Sequence, residues 1–192
     1  MVCPGHPDLM MLWSGDLQSD FGPTLLGPQA FTHFSQDVPA DVASLFRVRP
    51  VRWGAMGDST GGYCASKLAV TDSCVFPAAV ALSGYTAPPQ DLTTGDLFGG
   101  SASPRAQGDL VHLIRTRHSP AASLPLTTTR TERGPSGLDA LQTLQRAARP
   151  PLQVDTLIET RAGHSYRTWR PELPTVLAWL TSHLHPPRTA TG

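Results

Sequence analysis

The chain has 192 residues, 40% of them hydrophobic and 16% charged, which suits about one domain with a buried core and argues against wholesale disorder. Fifteen basic and fifteen acidic side chains cancel, so no basic surplus points to nucleic acid or to an anionic membrane surface. No apolar run reaches the roughly 18 residues of a spanning helix, and the first fifteen residues carry no basic, long-apolar export signal; the compartment is left unknown, cytoplasmic only as the sequence is written.

Residues 1–34 read as an irregular N-terminal segment with one short strand, Asp8 to Ser14, and turn signals at Gly22-Pro23 and Gly27-Pro28. Ser35 to Phe46 reads as a helix. Ser35 can cap it, Asp37 suits its first turn, Pro39 falls where proline is tolerated, and Val38, Val42, Leu45 and Phe46 make an apolar stripe. Val51 to Met56 is strand-like. A glycine-rich turn and a helix from Tyr63 to Val70 follow. Phe76 to Leu82 is continuously apolar and reads as a fully buried strand.

Ser83 to Ala121 is mostly loop, with a glycine-rich turn at Gly95 to Gly100 and a helix at Gln107 to Arg115. Leu124 to Thr129 is strand-like, although Pro125 weakens its start. Ser136 to Ala148 is helical, with Leu138, Leu141 and Leu144 on one face. Leu152 to Ile158 reads as a strand. Pro171 opens a last amphipathic helix to Leu184. Residues 35–185 form the expected core domain, and 186–192 read as a frayed tail. The alternation of strand and helix from residue 51 predicts an α/β fold with a mostly parallel sheet flanked by helices. Three cysteines do not make a disulfide framework or a zinc site; at most one bridge can form, and Cys64 and Cys74 read as small core residues.

Gly57-Asp58-Ser59-Thr60-Gly61 fits G-x-S-x-G between a predicted strand and a predicted helix, the context of a nucleophile elbow. The serine of such a turn is strained, and its flanks need residues without Cβ so that backbone can approach. The turn also places the Thr60 N–H at a helix N-terminus, where it can stabilise an oxyanion. Gly57 to Gly62 also looks superficially like the Gly-Asp-Ser-Gly-Gly of chymotrypsin-like proteases. The inserted Thr60, the α/β pattern and the lack of a suitable upstream histidine set that aside.

A serine nucleophile needs a base, and the base an orienting acid. In the α/β-hydrolase order these follow as acid and then histidine. His164 stands just past the predicted strand 152–158 and before the last helix. His6 and His33 precede the serine, His112 and His118 fall in the variable middle, and His183 and His185 sit near the tail. For the acid, Glu132 follows strand 124–129. Asp139 and Asp155 are the fallbacks, one expected on a solvent-facing helix surface and the other in mid-strand.

With these residues the chain resembles the putative-esterase group of α/β-hydrolases, which includes esterase D, feruloyl esterases and antigen-85-type mycolyltransferases, and is most similar to its actinobacterial branch. The matching stretches are Asp37 to Val48, Gly57 to Ala65, Leu82 to Tyr85, Thr93 to Gly100, and Gly163-His164-Ser165 with Trp169 beyond it. The resemblance implies Ser59 as nucleophile, Glu132 as acid and His164 as base. It implies ester cleavage or acyl transfer on a small-molecule ester, with no metal and no organic cofactor. It also implies several more strands before the elbow, one leading into a glycine-containing loop that gives the second oxyanion N–H. Only about fifty residues precede the elbow, and Cys3 to His6 is a poor substitute for that loop. The expectation is therefore an N-terminally shortened relative whose sheet lacks its first strands. A serine esterase working through Ser59, Glu132, His164 and the Thr60 N–H is the leading reading. Acyl transfer to a sugar hydroxyl and a non-catalytic remnant are the alternatives. Tyr85 and Trp169 are candidates for pocket walls or core packing.

Overall fold

The computed structural model describes residues 30–48, 52–89, 98, 100, 102–117, 120–159 and 163–184. The expected strand at 8–14, most of the turn at 95–100, the tail, and Cys3, His6, His118 and His185 lie outside the described residues.

Four strands form the described sheet: β1 (Gly54–Asp58), β2 (Ala78–Leu82), β3 (Ser123–Thr129) and β4 (Gln153–Glu159). They lie in the order β1-β2-β3-β4, and every neighbouring pair is parallel. Parallel neighbours need crossovers. These carry α3 (Thr60–Thr71), then α4 (Ala102–Gly108) and α5 (Leu110–Thr116), then α6 (Leu138–Ala147). The short α7 (Tyr166–Trp169) and α8 (Leu173–Leu184) follow β4.

Side chains alternate across a strand, and the two apolar clusters show it. Ala55, Ala79, Ala81, Leu124 and Leu126 pack with α3, α5 and α6. Met56, Ala78, Val80 and Leu82 point the other way, onto Trp169 and the Val176, Leu180 and Leu184 stripe of α8. The result is three layers with the sheet in the middle, as the strand–helix alternation predicts. Small residues in β1 let the outer layer close on it. A Cβ added at Gly54 would meet Leu184 Cδ1 at 2.8 Å.

Pro125 sits inside β3 yet does not end it. It lacks the N–H a ladder needs, and the β2–β3 pairing passes from Ala78↔Ser123 directly to Ala81↔Leu126. On its other side Pro125 stays in register with Asp155.

Several local expectations change. The N-terminal helical run begins at Ala30, with α1 (Ala30–Thr32), a π-helical turn at His33–Asp37 and then α2 (Val38–Leu45). Ser35 caps nothing, because the run is already helical there, and its hydroxyl donates back to the Thr32 carbonyl at 3.4 Å. Val38 and Val42 pack on the core. Leu45 and Phe46 are 76% and 62% exposed, since the chain turns extended at Phe46 and leaves the stripe. The helix expected at 107–115 starts later, as α5, and a second helix, α4, fills Ala102–Gly108, most of which was expected to be loop. Asp109 separates them, its side chain accepting from the Val111 and His112 N–H groups to cap α5. Cys64 is buried in the core, as expected. Cys74 is not a core residue; it lies half-buried in a turn after α3 and is disulfide-bonded, with its partner outside the described residues.

Candidate active site

The site is built at the carboxyl ends of the parallel strands, where open α/β sheets place their ligands. Ser59 follows β1 directly and takes φ +52°, ψ −121°, a conformation that costs an L-residue of order 1–3 kcal/mol. Its surroundings hold it there. The Ser59 N–H donates to the Leu82 carbonyl at 2.9 Å, and the Ser59 carbonyl accepts from the Tyr63 N–H at 3.1 Å. The glycines are steric requirements. A Cβ on Gly57 would stand 2.3 Å from the Gly61 carbonyl carbon, and one on Gly62 would stand 2.9 Å from the Gly84 Cα. Thr60 opens α3, so its N–H is one of those a helix leaves without an intrahelical partner.

His164 comes from the segment after β4, and its Nε2 lies 2.7 Å from Ser59 Oγ. Its Nδ1 lies 3.7 Å from Glu132 Oε1, beyond the 2.7–3.2 Å of an N–H···O hydrogen bond. Glu132 follows β3. Its Oε1 instead accepts from Ser83 Oγ at 2.6 Å, while its Oε2 is buried without a hydrogen-bond partner. The structure thus brings Ser59, His164 and Glu132 together. Asp139 and Asp155 are exposed, and Asp139 lines a surface pocket together with Glu132.

A family model described as "Putative esterase" matches residues 18–180. The chain belongs to that esterase family. No curated protein matches the sequence. Among solved structures, it is similar to an S-formylglutathione hydrolase from Agrobacterium tumefaciens, at TM-score 0.69 and 19% identity, over 81% of this chain. The chain spans 58% of that protein's length. It is also similar to the fluorophosphonate-binding serine hydrolase F of Staphylococcus aureus, at TM-score 0.67 and 18% identity, over 88% of this chain and 69% of the other. The Mycobacterium tuberculosis protein MPT51 matches at TM-score 0.63 and 17% identity, over 88% and 74%. These likenesses show the α/β-hydrolase fold.

In this esterase-family chain, four further residues, Ser83, Trp169, Tyr85 and Glu159, lie at or beside the site. Ser83, fully buried at φ +51°, links Glu132 to Trp169, whose indole N–H donates to Ser83 Oγ at 3.0 Å. Trp169 also meets the His164 ring edge-on at 5.1 Å between centroids, so it serves the site as well as the core. Tyr85 reaches Ser59, with its phenol oxygen 3.1 Å from Ser59 Oγ. Glu159, at the end of β4, is buried and accepts a hydrogen bond from Thr127 Oγ1. Burial pushes the Glu159 carboxyl above its ordinary value; the Thr127 bond works against this, and the charges of Glu172 and Glu132 add to it. Ser83 and Tyr85 fall in the Leu82 to Tyr85 stretch that carries the family resemblance, but that stretch does not tell what either side chain contacts.

Among the described residues, no group of three His, Cys, Asp or Glu is arranged to hold a metal. His183 stacks on Trp179 at 3.8 Å between ring centroids. No described helix is long and apolar enough to cross a membrane.

Proposed function

We propose that the chain is a serine ester hydrolase acting through an acyl-enzyme on Ser59. The observation that carries this reading is the 2.7 Å contact between His164 Nε2 and the oxygen of a serine held at positive φ on the elbow. Family membership supports ester chemistry.

The steps follow from the donors and acceptors present. His164 Nε2 takes the Ser59 proton while Oγ attacks the ester carbonyl carbon. The carbonyl electron pair moves to oxygen, and the Thr60 N–H stabilises that charge at the start of α3. The intermediate collapses, His164 gives its proton to the departing alkoxide, and the acyl group stays on Ser59. Water, deprotonated by His164, then releases the acid. Glu132 orients the imidazole with its proton on Nδ1 and stabilises the imidazolium. The substrate is a small-molecule ester. Acyl transfer would use the same groups, with an acceptor hydroxyl replacing water.

Ser59→Ala against wild type tests the reading, using a fluorophosphonate probe read by intact mass and p-nitrophenyl acetate turnover. A single adduct and turnover in wild type alone are expected. Undiminished turnover by Ser59→Ala, or an unlabelled and inactive wild type that melts cooperatively, would overturn it.

A further inference from the structure

The mechanism above leaves one group at the nucleophile without a task. Ser59 Oγ has two close partners, His164 Nε2 at 2.7 Å and the Tyr85 phenol oxygen at 3.1 Å. A serine hydroxyl has one proton to donate. If that proton points at Nε2, as a base requires, Tyr85 is the donor in the second bond. Its proton already faces the reacting oxygen.

Tyr85 is well held in this position. It follows Ser83 and Gly84, both buried. Gly84 lies so close to the elbow that an added Cβ would stand 2.8 Å from the Gly62 carbonyl carbon. The next residue, Thr86, is tied on both sides: its N–H donates to the Pro135 carbonyl and its carbonyl accepts from the Leu110 N–H, each at 2.9 Å. The Tyr85 ring lies parallel to the His164 ring, at 7° and 6.3 Å between centroids. Base and phenol therefore approach Oγ as a pair of aligned planes.

We propose that Tyr85 is a catalytic residue whose phenol O–H donates a hydrogen bond to the charged oxygen of the tetrahedral intermediate, beside the Thr60 N–H. This rests on the ester-hydrolase reading above. As Oγ bonds to the carbonyl carbon, it loses its charge-accepting character and becomes an ether-like oxygen. The carbonyl electron pair moves onto the carbonyl oxygen, one bond angle away, which becomes the strongest acceptor in reach. The phenol exchanges a neutral hydroxyl for that anion, and bonds to ions are roughly twice as strong as neutral ones. The gain is therefore larger in the transition state than in the resting enzyme, which is the condition for catalysis. Tyr85 keeps its proton throughout. The proton that moves is the one from Ser59, first to His164 Nε2 and then to the leaving oxygen.

Tyr85→Phe keeps the ring and removes only the phenol oxygen. Wild type and variant are compared in p-nitrophenyl acetate turnover, in fluorophosphonate labelling rate and in inhibition by phenylboronic acid, which forms a tetrahedral adduct on serine. The p-nitrophenolate leaving group needs no proton, so the assay isolates stabilisation of the intermediate. The expected result is kcat lower by about 10- to 100-fold at unchanged KM, boronate binding weaker by a similar factor, and an unchanged melting temperature. A dedicated oxyanion donor is worth about 10²–10³ in rate; the partly exposed phenol is placed below that. Wild-type kcat and boronate affinity in Tyr85→Phe would overturn the proposal and leave the esterase reading intact. A loss accompanied by a lower melting temperature and raised KM would overturn it too, by showing a packing role. A wild type that takes no label overturns the esterase reading, and this proposal with it.

Discussion

Replacing Ser83 by alanine removes one oxygen on which two buried groups depend. The Ser83 hydroxyl donates to Glu132 Oε1 at 2.6 Å and accepts from the Trp169 indole N–H at 3.0 Å. Ser83 is fully buried and Trp169 is 5% exposed. After the change, Oε1 keeps only the 3.7 Å approach of His164, and Oε2 has no hydrogen-bond partner already. A hydrogen bond to a charged group is worth about 1.5–3 kcal/mol, and a buried donor left unmade costs about 1–3 kcal/mol. The two bonds share an atom and do not add fully, so the expected cost is about 3 kcal/mol. For a chain of 150–250 residues, 1 kcal/mol moves the melting temperature by roughly 2–4 °C. Ser83→Ala should therefore melt about 6–12 °C below wild type by calorimetry. Ser83→Gly removes the same oxygen but relieves the φ of +51°, and should recover about 1 kcal/mol of the loss. Both variants should also lose kcat at unchanged KM, because Glu132 is no longer held. A Ser83→Ala melt within 2 °C of wild type would refute the claim that this hydroxyl secures Glu132.

Gly57→Ala should destabilise the fold by more than about 3 kcal/mol, since the clash is with Gly61 backbone rather than a movable side chain. Gly100→Ala, with open space around it but φ +75°, should cost only about 1 kcal/mol; equal melting temperatures for the two variants would contradict the packing argument. Glu159 gives a pH prediction. Its folded-state pKa is raised by burial above the ordinary 4.5, so the native state holds the proton more tightly than the unfolded chain. That stabilisation is complete below about pH 4.5 and is lost as pH rises through the folded value. Wild type should lose melting temperature relative to Glu159→Gln as pH is raised from 4.5, and a constant difference across that range would show that burial does not perturb this group.

The fold was legible because two periodicities alternate along the chain after residue 51. The buried runs at β1 and β2 are too short for helices, and α6 carries its leucines on one face. The elbow was legible because Gly57 and Gly61 flank the serine at a strand-to-helix junction, and only glycine fits where backbone meets backbone at 2.3 Å. Other features depend on contacts distant in sequence. Ser83 reaches Glu132 across 49 positions, through the β2–β3 register, and no local pattern encodes that. Helix α4 was invisible because Ala102 to Gly108 offers no apolar stripe, only two alanines, a proline and a glycine among polar residues. Asp109 reads equally well as a polar helix residue or as the cap it is. Ser35 errs in the opposite direction: a good cap residue sits inside a helix that had already begun.

The position of Glu132 also bears on how the proposed chemistry would be timed. In the resting arrangement Oε1 is bound to the Ser83 hydroxyl at 2.6 Å and stands 3.7 Å from His164 Nδ1. A neutral imidazole N–H competes poorly with that short O–H···O bond. Once His164 has taken the Ser59 proton it is a cation, and an N⁺–H donor to a carboxylate is roughly twice as strong as a neutral one. The balance at Oε1 then shifts toward His164 at the moment the oxyanion forms. The acid contributes more to the charged intermediate than to the resting state, and the strand ends of β2, β3 and β4 hold both competing donors on one oxygen. The same logic applies to Tyr85, which gives up a neutral acceptor for a charged one. Two hydrogen bonds, one on each side of the imidazole–serine pair, would then strengthen together as charge separates, and each is weakened by a different single substitution. The double variant Ser83→Ala/Tyr85→Phe should therefore lose less kcat than the two single losses summed as free energies, because Ser83, Glu132, His164, Ser59 and Tyr85 form one connected chain of contacts.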